Sequence, residues 1–300
     1  MQILYVLQNP PHHGTPTTFT LDRTRHSWLL LGTTRGILDL WDLRFLLRLR
    51  AFGIPPYTPI RRLATHPSRG HGKWIVVAGG AAQGDITVWD IDKLQCREIF
   101  RPSIGGLEGA GRGYEAYRID DDKPEGPLGR FAVDPDTKLD VQVGGQASVN
   151  TIFVGRDWNR GDGSVDSKHG TGGFIISAGA DRKVRFWDLG KPESSSVVSG
   201  LQAEECKPTF TGLQASPSLS ITVERAGPNG GTVKDGMVAG GKKKAGSGGA
   251  GRPSRQAFIS IQQEKLLKNH LDAVLDVALI EVPYAMIVSV DRAGCINIFA

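Results

Sequence analysis

The sequence predicts an all-β fold built from repeated antiparallel sheets. Three observations carry this: a unit that recurs four times, apolar–polar alternation inside each unit, and turn residues that punctuate the strands. The unit runs from a small or polar stretch through a turn into an alternating strand that ends in an aromatic residue. It reads GTTRGILDLWDL at Gly32–Leu43, GAAQGDITVWDI at Gly80–Ile91, SAGADRKVRFWDL at Ser177–Leu189 and SVDRAGCINIFA at Ser289–Ala300. The aromatic anchors are Trp41, Trp89, Trp187 and Phe299.

Each unit resolves into strands. Alternation over Ile86–Trp89 and Val184–Trp187 has the period of a strand rather than of a helix. Upstream lie second strands at Trp28–Leu31, Trp74–Ala78, Phe174–Ser177 and Met286–Ser289. Before them come first strands at Thr18–Leu21, Ile60–Ala64, Val149–Val154 and Val274–Leu279. Thr34-Arg35-Gly36 and Asp181-Arg182 supply turns. A variable fourth strand (Cys96–Phe100, Ser196–Ser199) completes a four-stranded antiparallel sheet, the repeat of a β-propeller blade. The expected blades cover about 12–57, 58–100, 147–200 and 258–300 of a partial propeller spanning 1–300.

Composition accounts for the uneven spacing. The chain has 39 glycines and 17 prolines among 300 residues. Many fall in 101–146, which also carries Asp120-Asp121-Asp122, and in 201–257, which ends in a Gly- and Lys-rich tract. Such segments bury too little apolar surface to offset the entropy of ordering, so both are expected to be disordered insertions.

Charge and cysteines set further bounds. The net charge is +5, and Lys242, Lys243 and Lys244 supply three of those charges in one Gly-rich tract, so the basic balance describes a loop. Cys96, Cys206 and Cys295 are odd in number and far apart, which argues against a disulfide scaffold and suggests a reducing compartment. No apolar run approaches the ~18 residues of a spanning helix.

Motifs for chemistry are weak throughout. Gly246–Gly251 fits Gly-x-Gly-x-x-Gly, but Pro253 follows where a helix would have to open. Gly236–Lys242 approaches a phosphate loop, yet Lys243 stands where a magnesium-binding Ser or Thr belongs. The seven histidines form no metal signature. Neither a Gly-x-Ser-x-Gly elbow nor the kinase signatures His-Arg-Asp and Asp-Phe-Gly occur. The expectation is therefore no catalytic, cofactor or metal site in this chain. Lys242–Lys244 could contact phosphates, but three lysines without a nearby aromatic platform fall short of a nucleic-acid or lipid site. Arg61 and Arg62, adjacent on a strand, are the candidate partner surface.

The pairs Trp41-Asp42, Trp89-Asp90 and Trp187-Asp188 at strand ends resemble WD repeats. That resemblance implies a buried polar chain from a His before the first strand, through a Ser or Thr on the second and an Asp in the next turn, to the Trp. His270, Ser289 and Asp291 occupy those positions in the last unit, where Phe299 replaces the Trp. The third unit has Ser177, Asp181 and Trp187 without the His. More specifically, Trp41-Asp42-Leu43-Arg44-Phe45 followed by Ile60-Arg61-Arg62-Leu63 and His66-Pro67 resembles the C-terminal WD domain of the regulatory subunit of the class III phosphatidylinositol 3-kinase complex.

Members of that family carry a protein-kinase-like domain, HEAT repeats and a seven-bladed propeller. About four blades are recognisable here, and a strand-like Ile3–Leu7 has no blade of its own. The expectation is a C-terminal piece of a longer protein, or a truncated gene model. The resemblance implies a non-catalytic scaffold in autophagy and endosomal or vacuolar sorting, cytoplasmic and peripheral on endosomal and autophagic membranes. Implied partners are the lipid kinase catalytic subunit and the Beclin-type coiled-coil subunit, with no nucleic acid. Two alternatives stay open: a fragment of an active serine/threonine kinase whose catalytic domain is missing here, and a generic WD-repeat adaptor in another complex.

Overall fold

In the computed structural model the described residues are 5–22, 27–54, 57–79, 84–102, 117–119, 149–156, 172–201, 206–227, 269–281 and 285–299. They form eighteen strands and three single 3-10 turns. The first sheet holds β1 (Pro16–Leu21), β2 (Trp28–Thr33), β3 (Ile37–Asp42) and β4 (Leu47–Gly53). Next come β5 (Ile60–Thr65), β6 (Trp74–Gly79), β7 (Ile86–Asp90) and β8 (Gln95–Arg101), then a short β9 (Tyr117–Ile119). The third sheet is β10 (Val149–Gly155), β11 (Phe174–Gly179), β12 (Val184–Asp188) and β13 (Ser196–Ser199). A hairpin, β14 (Thr209–Ser216) and β15 (Leu219–Arg225), precedes β16 (Val274–Ile280), β17 (Met286–Asp291) and β18 (Ile296–Phe299), which form the fourth sheet. Within each sheet the consecutive strands pair antiparallel, giving WD-type blades in an all-β fold.

Two pairings depart from sequence order. β9 joins the outer edge of β4, giving the first sheet five strands. The hairpin adds to the second sheet, where β15 runs parallel to β8 from Ser220 opposite Glu98 to Val223 opposite Arg101. Both lie inside segments 101–146 and 201–257, so the expectation of disorder is corrected at 117–119 and 209–225. The physical reason is local alternation: Ile221 and Val223 bury against the first and second sheets, and Phe210 against the second and third. The rest of both segments lies almost wholly outside the described residues, and Asp120–Asp122, Gly236–Lys242, Lys242–Lys244 and Gly246–Gly251 lie outside them altogether.

The sheets stack face to face in chain order, and strand alternation makes this possible. On β6, Ile75 and Val77 point to the first sheet while Val76 and Ala78 point to the third. Ile175 of β11 likewise faces the second sheet, whereas Phe174 and Ile176 face the fourth. The middle two sheets are thus apolar on both faces, which explains why their strands read as continuous hydrophobic runs. At ~1.5–3 kcal/mol per buried large side chain, these three inter-sheet cores dominate the folding energy.

The aromatic anchors share one direction. Trp89 packs toward the first sheet, Trp187 toward the second and Phe299 toward the third. Each anchor therefore faces the preceding sheet. Trp187 meets Phe100 and Phe210 edge-on, with centroids 5.6 and 5.2 Å away.

The hairpins between third and fourth strands repeat a local device. Leu46 and Leu94 have positive φ (56° and 53°) at equivalent places in Asp42–Leu46 and Asp90–Leu94. A non-glycine residue there costs about 1 kcal/mol or more, which the aspartate four positions back helps offset by holding the turn.

Candidate interaction surface

All four first strands carry a β-bulge at their second residue. The register breaks leave Thr17, Arg61, Asn150 and Leu275 as the extra residues. The first strands pack in succession, β1 on β5, β5 on β10 and β10 on β16. The bulges therefore bring those four side chains around one cavity of about 600 Å³. A bulge bends its strand and re-aims a side chain, so one repeated irregularity builds a shared mouth.

Polar bridges link the sheets at this mouth. Thr17 Oγ donates to the Ile60 carbonyl of the next sheet at 2.5 Å. Asn150 Nδ2 donates to the Val274 carbonyl at 3.0 Å, the equivalent link between third and fourth sheets. Asp276 accepts from Thr151 Oγ at 2.9 Å and from Arg62 Nη2 at 3.0 Å, joining second, third and fourth sheets. Arg292 also lines the mouth and is held by Asp272, whose carboxyl it draws below the usual range.

The two arginines singled out from the sequence thus separate. Arg62 is engaged within the chain by Asp276. Arg61, the bulged residue, is exposed and has no ion pair among the described residues. Adjacent residues of a regular strand would face opposite sides; the bulge puts both at the mouth.

The WD-type aspartates have one shared role. Asp42 accepts from the Arg44 and Phe45 backbone N–H groups at 2.8 and 3.4 Å. Asp90 accepts from Asp92 and Lys93, both at 3.1 Å, and Asp188 from Gly190 and Lys191, both at 2.8 Å. Each caps the turn that follows its strand. The Arg44 side chain, with backbone N–H groups, pulls the Asp42 carboxyl down to about 2 against the effect of desolvation.

The polar chains differ from unit to unit. In the last, His270 lies 2.6 Å from Ser289 Oγ and 3.3 Å from Asp291. Asp291 also accepts from the Leu271, Asp272 and Cys295 backbones. Burial pushes Asp291 up, but these donors and His270 together hold it below the usual range. In the third unit Trp187 Nε1 donates to Ser177 Oγ at 2.8 Å. Asp181 there binds Arg185 at 2.5 Å. Trp89 Nε1 turns to Thr87 on its own strand, at 2.9 Å. The Trp41 Nε1 is buried and finds no acceptor among the described residues.

Several buried clusters escaped the sequence reading. His13 sits 2.9 Å from both oxygens of Asp39. Arg101 forks onto Asp85 at 2.9–3.2 Å. Glu98 holds Arg69 beside buried His66. Arg185 donates to Asp181, Glu224 and the Pro102 carbonyl. Paired buried charges were signalled only by single charged residues inside apolar strands, as in Val184-Arg185-Phe186. Among the described residues no three His, Cys, Asp or Glu side chains converge as a metal site, and no helix is long and apolar enough to cross a membrane.

No family model matches the chain. A putative serine/threonine-protein kinase VPS15 from Komagataella pastoris is 28% identical over 306 residues, covering 100% of this chain and 20% of the relative. The chain resembles the VPS15 proteins. Serine/threonine-protein kinase VPS15 from Saccharomyces cerevisiae is 31% identical over 100 residues, 33% of this chain and 7% of the relative. The Arabidopsis thaliana VPS15 is 22% identical over 185 residues, 58% of this chain and 11% of the relative. The chain spans a fifth or less of these curated relatives. Among solved structures, the WD40 β-propeller domain of Doa1 has TM-score 0.42 at 10% identity, over 98% of this chain and 53% of that one. The part matched to VPS15 kinases is here a WD-type β fold and not a kinase fold.

Proposed function

We propose that this chain is a non-catalytic protein-interaction scaffold, the WD region of the regulatory subunit of a class III phosphatidylinositol 3-kinase complex. The observation that carries the reading is the VPS15 similarity along its whole length, joined to a blade architecture whose interior is occupied by packing. A rigid stack of sheets presents turns and the arginine-lined mouth to partners. The partners are the lipid kinase catalytic subunit and the Beclin-type coiled-coil subunit. The complex places the chain on endosomal and autophagic membranes from the cytoplasm, in autophagy and vacuolar sorting.

Affinity capture with the tagged chain tests this. Both subunits should be retained, and Arg61→Glu should weaken retention without lowering the melting temperature. Retention of neither subunit by a folded chain overturns the reading. The kinase names of the relatives favour a second reading for a longer parent, an active serine/threonine kinase that this region only positions. Phosphotransfer by the chain itself would contradict the non-catalytic assignment.

A further inference from the structure

The mouth built by the four bulges has a chemistry of its own. Arg61 and Arg62 of the second sheet and Arg292 of the fourth line it, and among the described residues no acidic side chain does. Asp276 and Asp272, themselves outside the lining, pair with Arg62 at 3.0 Å and with Arg292 at 2.9 Å. Arg61 has no ion pair among the described residues. Three guanidiniums against two carboxylates leave one net positive charge, and it sits on Arg61.

The backbone guides this side chain. The Arg61 stem passes beside Gly79, where an added Cβ would lie 3.3 Å from the Arg61 Cγ. The glycine leaves room for the stem, and the bulge turns the head to the mouth. Ala180, Ala273 and Leu275 give the same mouth aliphatic walls. Such walls lower the local dielectric, so a charge pair formed there gains more than one in open water.

These features select an occupant. A neutral carbonyl would leave the charge unmatched. A phosphate monoester brings about 1.5–2 negative charges, more than the mouth balances, and the excess would meet the carboxylates of Asp272 and Asp276. Anionic membrane surfaces are read by clusters of about 4–8 basic residues, not by one net charge in a cavity. A single carboxylate matches the charge one for one and accepts both prongs of the guanidinium fork. The cavity of about 600 Å³ holds more than a carboxylate, and its aliphatic walls suit an apolar side chain beside it.

We propose that the mouth receives one aspartate or glutamate of a partner protein, carried next to an aliphatic residue, and that Arg61 selects the carboxylate. The inference rests on the scaffold reading in taking its occupant from a protein.

Arginine side-chain N–H resonances of the full chain test it, with capped Leu-Glu-Leu, Leu-Gln-Leu and Leu-phosphoserine-Leu peptides as probes. The Glu peptide should shift the Arg61 resonance and bind about tenfold tighter than the Gln peptide, as one charge-assisted bond predicts. Arg61→Gln should bring that ratio close to one without lowering the melting temperature, since Arg61 is exposed. Lys191→Gln removes an exposed charge outside the mouth lining and should leave the ratio unchanged. Equal binding of the Glu and Gln peptides overturns the proposal, as does a Glu preference that survives Arg61→Gln. Tighter binding of the phosphoserine peptide overturns it too, and so does displacement of the Glu peptide by phosphatidylserine vesicles. If Arg61→Gln unfolds the chain, the ratio and the Arg61 shift on the unaltered protein decide. Capture of the lipid kinase subunits is a separate readout. Its failure with the Glu preference intact removes the assignment to that complex and keeps the site; loss of the preference with capture intact does the reverse.

Discussion

Arg185 ties the added hairpin to the third sheet, and replacing it isolates the energy of that tie. Its guanidinium donates to Asp181 at 2.5 Å, to Glu224 on β15 at 2.5 Å and to the Pro102 carbonyl at 2.9 Å. The Arg185 side chain is 3% exposed and that of Glu224 7%. Burial disfavours the arginine's charge, yet Asp181 and Glu224 outweigh it and hold the guanidinium protonated. Burial pushes Glu224 above the usual carboxylate range against the pull of Arg185. Arg185→Met keeps much of the stem and removes the charge. Three charge-assisted bonds at ~1.5–3 kcal/mol each would sum to more than the ~3–5 kcal/mol seen when a buried pair is broken. Glu224 can take up a proton once its counter-charge is gone, so the lower figure, about 3 kcal/mol at neutral pH, is expected. For a domain of this size that lowers the melting temperature by ~6–12 °C. A raised carboxyl pKa in the folded state favours folding below the unfolded value and loses that contribution as pH rises through the folded one. The loss in Arg185→Met should therefore be smaller in mild acid than at neutral pH. Urea unfolding of the single variants and of Arg185→Met/Glu224→Leu reads the coupling, and the double variant should regain at least ~1 kcal/mol over Arg185→Met. A loss below ~1 kcal/mol, or strictly additive singles, would refute the ion cluster as the tie.

Asp291→Asn should destabilise the last sheet by ~1–3 kcal/mol at neutral pH. Because Asp291 is held below its ordinary range, its contribution exists above that range and fades as pH falls through the folded value, so the variant and the parent should converge in acid unfolding curves. Trp187→Phe strands the Ser177 hydroxyl and should cost ~1–3 kcal/mol in chemical denaturation, whereas Trp41→Phe removes a donor that has no acceptor and should cost less. Arg62→Ala breaks a half-exposed pair and should change stability by no more than about 1 kcal/mol. Burial pushes the Cys96 thiol up to about 12, so iodoacetamide should label exposed Cys206 in the native protein and reach Cys96 only after unfolding.

Much of the fold was legible because alternation and turn chemistry act locally. Trp28–Leu31 and Val274–Leu279, read from pattern, lie within β2 and β16. The stacking order was not legible, since a strand such as Trp74–Gly79 is apolar on both faces and its pattern names no neighbour. The hairpin at Thr209–Arg225 was missed because its low-complexity surroundings dominated the composition, although Leu219–Glu224 alternates clearly. The bulges were invisible for a different reason. A bulge adds one residue to a strand without a fixed residue type, and here Thr, Arg, Asn and Leu all occupy it. His270, Ser289 and Asp291 could be named from the resemblance to WD repeats, whereas the Arg185 and His13 clusters join residues 39 and 26 positions apart with no motif between them.

The bulges also connect architecture to the proposed function. A regular first strand would send alternate side chains into the two sheet–sheet cores, leaving none for the mouth. The extra residue shifts the frame by one at the strand's start and frees Thr17, Arg61, Asn150 and Leu275 from packing. Thr17 and Asn150 use that freedom to bond the next sheet. Leu275 has no donor. Arg61 has a donor group and leaves it turned to the open mouth. On the proposed function, the position that at Thr17 and Asn150 fastens sheets together is, at Arg61, the one offered to a partner, since Arg61 has no ion pair among the described residues. An acidic partner segment would meet it beside Arg62 and Arg292, both already neutralised by Asp276 and Asp272. A charge with no ion pair among the described residues, set at a rigid rim, selects orientation more than affinity. The Arg61→Glu chain should accordingly show its defect chiefly in association rate and in its salt dependence, while an apolar replacement such as Arg61→Leu should leave the dissociation rate close to that of the parent.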